Sequence, residues 1–221
     1  MAKHKLQRFA ENETFENLFQ HNNYDVRGGN FPLRGRWAEY FGNDHPIVLE
    51  LGCGRGEYTI AMAQAFPDKN FIGIDLKGAR IWRGCKDAVE QHLTNVAFIR
   101  SQIDEIEFYF SQGEVSEIWV TFPDPQPKKP RHRLMSPNFV SKYRKIWGET
   151  GILHLKTDSR MLYEYLLETV EEEHWTLLEN IEDVYAHPSP ENSLLTGIQT
   201  FYEKKWLEMG KMISYVKVQI G

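Results

Sequence analysis

A glycine-rich loop with an acid in front of it is the first feature that could do chemistry. Glycines stand at every second position, at Gly52, Gly54 and Gly56, and Glu50 precedes them. Glycine lets a backbone turn tightly and approach a ligand closely. The spacing differs from G-x-G-x-x-G, which leads into a pyrophosphate-binding helix start, and the acid suits a cation better than a phosphate. The loop therefore predicts that Glu50, Gly52 and Gly54 contact the cationic methionine end of S-adenosylmethionine (SAM).

A second acid, Asp75, ends the next apolar run along the chain. A carboxylate at that place can accept hydrogen bonds from both ribose hydroxyls of a nucleoside. Because nicotinamide dehydrogenases use an acid in the same way, Asp75 supports a nucleoside cofactor without distinguishing SAM from NAD. Glu50 and the glycine spacing favour SAM.

A third acid lies between two prolines, in Thr121-Phe-Pro-Asp-Pro125. Prolines restrict the backbone on both sides of Asp124. An aspartate in such a setting often does no more than form a turn. Since this loop follows a predicted strand on the side where the methyl group would be transferred, Asp124 is the candidate for orienting the substrate or assisting catalysis.

A basic run follows that loop. Residues 126–145 contain no acid and carry Lys128, Lys129, Arg131, Arg133, Lys142, Arg144 and Lys145. The net charge of −5 hides this run, because residues 164–183 are acidic and contain no Lys or Arg. Lysine and arginine contacts to phosphates hold a nucleic acid in register without reading its sequence. A basic run beside a methyl-transfer loop therefore indicates RNA as the partner, although such a run can also be a solvated surface.

These residues must be positioned by an alternation of strands and helices. Apolar runs at 46–51, 70–76, 96–99, 117–122 and 151–156 predict strands, separated by helices at 57–66, 79–92, 136–147 and 158–173. Two further strands, 175–181 and 212–219, are expected to pair at one edge. The pattern predicts a single-domain α/β fold with a doubly wound, mostly parallel, Rossmann-like sheet of about seven strands. Residues 1–30 are predicted to form a mobile basic arm before the domain at 31–221.

Other classes of protein are disfavoured by composition. No apolar run reaches the roughly 18–20 residues of a membrane span, and no apolar segment follows the basic N-terminus as in a secretory signal. The two cysteines and the spacing of the eight histidines give no disulfide framework or metal site. We expect a cytoplasmic protein without a metal or a membrane partner, and the sequence fits a monomer as well as a homodimer.

Taken together, four motifs resemble the bacterial tRNA (guanine-N7-)-methyltransferase family over about residues 30–218. They are Leu49-Glu-Leu-Gly-Cys-Gly-Arg-Gly56, Phe122-Pro-Asp-Pro125 with its basic run, Thr157-Asp158, and Thr200-Phe-Tyr-Glu203. The resemblance implies SAM-dependent methylation of N7 of a guanosine in the variable loop of tRNA.

The resemblance also implies residue roles. It places Glu50 and Asp75 at SAM, Gln102 beside the adenine, and Asp124 at the active site; it places Lys128, Asp158, Thr200, Phe201, Tyr202 and Glu203 at the RNA substrate. Gln102 stands where relatives often carry Asp, and Asp104 competes for its role. The segment after Pro125 is shorter than usual, so Lys129 and Arg131 are alternatives to Lys128.

The alternatives are a SAM-dependent methyltransferase for another RNA or a small molecule, and an RNA-binding protein with an unused cofactor pocket. Guanine N7 has a free lone pair and needs no general base, so Asp124 is expected to orient guanine and balance the positive charge of its product. Cys53 lies inside the glycine loop, and Cys85 does not stand at the end of a predicted strand. The sequence therefore does not support covalent catalysis by cysteine.

Overall fold

The computed structural model describes residues 2–186 and 193–221. Within them, a sheet of eight strands has the order β1-β4-β3-β2-β5-β6-β8-β7. The strands are β1 (Leu18–Phe19), β2 (Ile47–Leu51), β3 (Asn70–Asp75), β4 (Val96–Arg100), β5 (Val115–Thr121), β6 (Gly151–Thr157), β7 (Thr176–Ile181) and β8 (Ser214–Ile220). All neighbouring pairs are parallel except those of β8, which runs antiparallel to β6 and β7. The mostly parallel sheet, with β7 and β8 paired at one edge, confirms the prediction.

Helices connect the strands. They are α1 (Ala2–Asn12), α2 (Asn23–Arg27), α3 (Trp37–Phe41), α4 (Glu57–Ala65), α5 (Gly78–Glu90), α6 (Pro137–Tyr143), α7 (Arg160–Glu172), α8 (Ser193–Gly197) and α9 (Phe201–Glu208), with 3-10 helices at Ile103–Phe108 and Pro130–His132. None of the described helices is long and apolar enough to cross a membrane.

Both faces of the sheet are buried, as a doubly wound fold requires. Side chains alternate between the faces along each strand. Leu49 of β2 joins one apolar cluster with Trp37 and Trp147. Its neighbour Val48 joins the other cluster, with Tyr58 and Trp119. The central strands are apolar at nearly every position, because parallel strands that are covered on both sides have no face exposed to solvent.

The N-terminal stretch adds the strand that the sequence did not predict. Leu18 and Phe19 pair in parallel with Phe98 and Ile99 of β4, and a strand this short carries no alternation to detect. In the same stretch, the side chain of Asn12 donates to the carbonyl of Gly78 at 3.0 Å. The mobile arm with its boundary at residue 30 stays a prediction, but in this structure part of residues 2–30 packs on the domain.

One helix start differs from the prediction. The helix after β6 was predicted to begin at residue 158, which would make Asp158 its cap, but the N-cap is Ser159, whose hydroxyl accepts from the backbone N–H of Leu162 at 3.4 Å. The carboxylate of Asp158 instead forms an ion pair with Lys211 at 2.6 Å. Serine and aspartate are equally good N-caps, so sequence preference does not choose between adjacent candidates.

Candidate active site

A cavity of about 550 Å³ opens at the carboxyl ends of the central strands, where ligands bind on sheets of this type. Its wall contains the predicted cofactor residues Glu50, Gly52 and Gly54. It also contains three predicted substrate residues, Thr200, Phe201 and Tyr202. The fold thus brings together two groups of residues that lie far apart in the sequence.

The glycine loop is shaped by left-handed backbone geometry. Gly52, Gly54 and Gly56 have φ of 75°, 58° and 74°, which L-residues with a side chain rarely adopt. A Cβ added at Gly56 would lie 2.8 Å from the ring of Phe98. At Gly52 an added Cβ would meet nothing within 4 Å and would project into open space. Gly56 therefore permits close packing behind the loop, and Gly52 leaves room in front of it.

Glu50 lies at the floor of the cavity with 5% of its surface exposed. Its carboxylate accepts hydrogen bonds from the backbone N–H of Thr59 at 2.9 Å and from the hydroxyl of Thr121 at 2.7 Å. Burial raises the pKa of Glu50 to about 7, and the bonds from Thr59 and Thr121 oppose that increase. A buried carboxylate with a raised pKa is stabilised by any cation brought next to it.

Asp75 fixes the loop from the neighbouring strand. Its carboxylate accepts from the backbone N–H of Gly54 at 3.0 Å and from that of Lys77 at 2.8 Å. Asp75 is partly exposed at the end of β3. The same carboxylate thus holds the glycine loop, and its contact with a ribose stays a prediction.

The Pro-Asp-Pro loop is bent on both sides of its acid. Phe122, which lines the cavity, has φ of 48°, and Gln126 has φ of 47°. Asp124 is exposed, and its carboxylate accepts from the backbone N–H of Gln126 at 3.1 Å. Non-glycine residues in this region cost free energy and occur mainly where the surrounding structure enforces them, often at functional sites. Phe122 lines the cavity, and Asp124 follows it by two residues on the exposed part of the loop.

The basic run separates into two parts. Lys128, Lys129 and Arg131 are exposed. Arg133, which was expected to meet phosphates, turns inward with 7% of its surface exposed. It donates to the carbonyl of Pro125 at 3.3 Å and lies over the ring of Tyr165. Arg133 thus stabilises the Pro-Asp-Pro loop, because its guanidinium donates a hydrogen bond to a backbone carbonyl of that loop.

At the end of the basic run that lies on and after α6, two lysines pair with acidic residues of the protein. Lys142 donates to the backbone carbonyl of Asp104 at 2.7 Å and lies 3.5 Å from its carboxylate. Lys145 forms an ion pair with Glu107. Lys142 and Lys145 are thus partly neutralised by acids of the protein, whereas no ion pair involves Lys128, Lys129 or Arg131 among the residues that the structure describes.

The predicted residues that do not line the cavity are Asp75, Gln102, Asp124, Lys128, Asp158 and Glu203. Gln102 is exposed and precedes the 3-10 helix at Ile103–Phe108. Asp158 is held by Lys211. Glu203 is fully buried, and its carboxylate pairs with Lys156 at 2.6 Å. Any contact of Glu203 with RNA would require this pair to open.

The comparisons with known proteins agree with this geometry. A family described as "Putative methyltransferase" matches residues 44–216. The chain is 52% identical to the tRNA (guanine-N(7)-)-methyltransferase of Christiangramia forsetii, over 99% of both chains. It is 49% identical to the protein of that name from Porphyromonas gingivalis, over 95% of this chain and 86% of that one.

The chain belongs to the tRNA (guanine-N(7)-)-methyltransferase family. This confirms the resemblance that the sequence motifs carry, and with it the class of enzyme. Among solved structures, the 16S rRNA methyltransferase KamB matches with a TM-score of 0.65 at 15% identity, covering 85% of this chain and 93% of KamB. A SAM dependent methyltransferase from Aquifex aeolicus gives 0.55 at 13% identity, covering 91% and 100%. These two matches support the fold.

Sequence reasoning missed the arginines of this methyltransferase's cavity. Among the described residues, those that line it are Arg8, Arg55, Arg80 and Arg83. Arg8 reaches it because α1 packs against α5, where its guanidinium lies 4.7 Å from the ring of Trp82. Arg80 and Arg83 are three residues apart on α5 and so lie on one face of that helix. This spacing is the sequence pattern that could have indicated a shared role for them.

It also missed the structural meaning of Thr200-Phe-Tyr-Glu203. Thr200 is the N-cap of α9, and its hydroxyl accepts from the backbone N–H of Glu203 at 3.1 Å. The pattern Thr-x-x-Glu is that of a capping box. In this protein the glutamate turns to Lys156 for its partner, so the motif starts a helix at the cavity wall and also fastens it to the sheet.

Proposed function

We propose that this enzyme transfers a methyl group from SAM to N7 of a guanosine in the variable loop of tRNA. One observation carries the proposal. A single cavity joins the acid-glycine loop to the start of α9, and Phe122 of the Pro-Asp-Pro loop lines it. That loop carries an exposed aspartate and is followed by exposed cations. An anionic polymer with a reactive base fits that arrangement better than a small neutral substrate does.

The residues of the cavity fit SAM. Its volume lies in the range of about 300–1,000 Å³ that small-molecule sites occupy. Gly52 leaves open space in front of the loop, where a side chain would obstruct a ligand. Glu50 supplies a buried carboxylate for the cationic methionine end, and Asp75 supplies one for the ribose hydroxyls. SAM contributes an electrophilic methyl group on a sulfonium.

The adenine contact is assigned to Gln102. Asp104 was the alternative, but its carboxylate lies 3.5 Å from Lys142. Gln102 follows β4, which neighbours the strand of Asp75 in the sheet, and its amide can both donate to and accept from the edge of a base.

The protein's part in catalysis is positioning and charge stabilisation. Guanine N7 attacks with its own lone pair, so no residue needs to remove a proton first. Asp124 orients the guanine by accepting from its N1–H and amino group. Its negative charge stabilises the positive charge that develops on the ring as the methyl group arrives.

The RNA backbone is held by cations around the cavity. Lys128, with Lys129 and Arg131 beside it, meets phosphates on the side of the Pro-Asp-Pro loop. Arg55, Arg80 and Arg83, which line the cavity, meet further phosphates. Phe201 and Tyr202 are about half exposed, and their rings are available to a base taken out of the RNA stack. Thr200 sets the direction of these rings by capping α9.

Two predicted substrate residues need further comment. Asp158 stays a candidate for RNA contact, but its partner Lys211 must then be shared with the substrate or released. Glu203 is assigned to holding α9 in place, because its carboxylate is buried.

The test is to incubate the enzyme with unmodified tRNA and methyl-labelled SAM. The RNA is then treated with borohydride and aniline, which cleave at 7-methylguanosine. Label in the RNA with cleavage in the variable loop is the expected result. Label without cleavage would point to another position or base and overturn the N7 assignment. Label only in small molecules would overturn the RNA substrate.

A further inference from the structure

Lys156 is a lysine buried completely in the sheet. It lies on β6, and its side chain has no exposed surface. Burial lowers its pKa, and the carboxylate of Glu203 opposes that effect. A buried ion pair is weak evidence for stability, because desolvation of both charges offsets their attraction. The reason for placing a lysine at this position must therefore be sought in what its ammonium group holds.

The ammonium group of Lys156 holds three points of one segment. It donates to the carboxylate of Glu203 at 2.6 Å. It also donates to the carbonyl of Ile198 at 3.2 Å and to that of Leu195. Leu195 belongs to α8, Ile198 to the following loop and Glu203 to the first turn of α9. A single side chain thus satisfies acceptors all along residues 195–203.

A tyrosine reinforces the same attachment. The hydroxyl of Tyr185 donates to the Glu203 oxygen that Lys156 binds, at 2.8 Å. Gln199 donates to that tyrosine hydroxyl at 3.2 Å. The other carboxylate oxygen of Glu203 has no hydrogen-bond partner among the residues that the structure describes. The attachment of α9 to the sheet therefore converges on one oxygen of Glu203.

The attached segment forms one wall of the cavity. Thr200, Phe201 and Tyr202 line the cavity between the anchor points Ile198 and Glu203. Phe122, at the base of the Pro-Asp-Pro loop, has its ring 5.9 Å from the Lys156 ammonium. A shift of the segment would move the two exposed rings relative to Asp124.

We propose that Lys156 is a positioning residue, which acts through Glu203 and the carbonyls of residues 195 and 198 to hold Phe201 and Tyr202 in place for the RNA base. This inference rests on the proposed function, since it assigns the rings to the base. The phosphate contacts are assigned to other residues, among them Lys128, Lys129 and Arg131. Loss of the anchor should therefore leave RNA affinity intact and slow the chemical step.

The experiment compares Lys156→Met, Glu203→Gln and the double variant with the wild-type enzyme. SAM titration first gives the fraction of each protein that is folded and able to bind. Per binding-competent enzyme, each single variant should lose about tenfold to 100-fold in kcat with little change in KM for tRNA, because misplacement of reacting groups costs rate. Tyr185→Phe, which removes two hydrogen bonds and no charge, should show a smaller loss.

The double variant separates positioning from simple charge compensation. Removing both charges should raise the Tm above that of either single variant, because neither charge is left buried alone. The kcat should stay low, since the attachment is still missing. Recovery of kcat in the double variant would overturn the proposal, because removal of both buried charges would then restore activity without the attachment.

Hydrogen exchange provides a readout that does not depend on activity. Amides of residues 193–208 should exchange faster in Lys156→Met and Glu203→Gln than in the wild type, and those of α5 should not change. Lys69→Met is the matched control, since Lys69 pairs with Glu117 at 2.6 Å in a partly buried position outside the cavity lining. It should leave exchange at 193–208 and kcat unchanged.

Unchanged exchange and unchanged kcat in both folded single variants would overturn the role of Lys156. A wild-type enzyme that does not methylate tRNA would overturn the proposed function instead. The exchange experiment would still decide whether Lys156 anchors the segment.

Discussion

The carboxylate of Glu57 accepts a hydrogen bond from the backbone N–H of Phe201 at 3.0 Å. Glu57 is the first residue of α4, directly after the glycine loop, and Phe201 is the first residue of α9. An acid at a helix N-terminus satisfies a free N–H and interacts favourably with the helix dipole. The bond joins the wall of the cavity formed by the glycine loop and α4 to the wall formed by α9. The guanidinium of Arg55, 5.0 Å from the Phe201 ring, adds a second link.

Glu57→Ala should remove this link and loosen the start of α9. Because loss of a side-chain cap costs about 0.5–2 kcal/mol, the free energy of unfolding should fall by that amount in urea titrations. The kcat for tRNA should fall as well. Glu57→Gln keeps an acceptor oxygen and is the matched control, with an intermediate effect expected. Equal stability and activity in Glu57→Ala and the wild type would show that the bond is dispensable.

Asp124→Asn should slow methyl transfer without weakening SAM binding. The amide keeps the size of the side chain and one acceptor but has no charge to stabilise the developing cation. Removal of one electrostatic contact at a transition state commonly costs about 10²–10³ in kcat. The measurement is kcat at saturating tRNA together with the dissociation constant for SAM. Full activity of Asp124→Asn would make the charge argument wrong.

SAM binding should tighten as the pH rises through neutrality. Burial raises the pKa of Glu50 from 4.5 to about 7 in the folded protein. Between these values the folded state holds a proton that the unfolded chain has lost, so this group's contribution to stability falls as the pH rises. A bound cation favours the charged carboxylate, so binding below pH 7 must expel the proton.

Calorimetry of SAM binding from about pH 6 to about pH 8 tests this, with an expected gain approaching tenfold per pH unit below the pKa. Glu50→Gln should bind SAM weakly and with a much flatter pH dependence. At about pH 8 it should also unfold at a temperature no lower than the wild type, since no buried charge remains. A wild-type affinity that is independent of pH would contradict the assignment of Glu50 to the cationic end of SAM.

Lys128→Ala and Arg133→Ala should differ although both residues belong to one basic run. Lys128 is exposed, so its loss should weaken tRNA binding, reduce the dependence of log K on log salt by about one unit and leave the Tm unchanged. Arg133 is buried under the Pro-Asp-Pro loop, so its loss should lower the free energy of unfolding by about 0.5–3 kcal/mol. Salt-dependent binding and urea titrations separate the two effects. Identical behaviour of the two variants would show that burial of Arg133 is not important.

Local chemistry explains what the sequence determined by itself. The acid-glycine loop, Asp75 at a strand end and the Pro-Asp-Pro turn each depend on a few adjacent residues, so their positions at strand ends could be predicted from the sequence. The pairing of β7 with β8 at the sheet edge was also predicted, because both have strand-like patterns, but their antiparallel direction was not. The short strand β1 was not predicted, because pairing with β4 rather than local preference makes it a strand.

Only the tertiary structure decided which charged residues line the cavity and which are buried. Arg133 and Glu203 look like surface residues in the sequence, but each is turned inward by a partner supplied from elsewhere in the chain, Pro125 and Tyr165 in one case and Lys156 in the other. Arg8 looks like part of a tail and lies at the cavity because α1 packs on α5. The sequence shows which residues carry a charge. Whether a charged residue is desolvated or paired depends on contacts between distant segments, and those contacts exist only once the chain has folded.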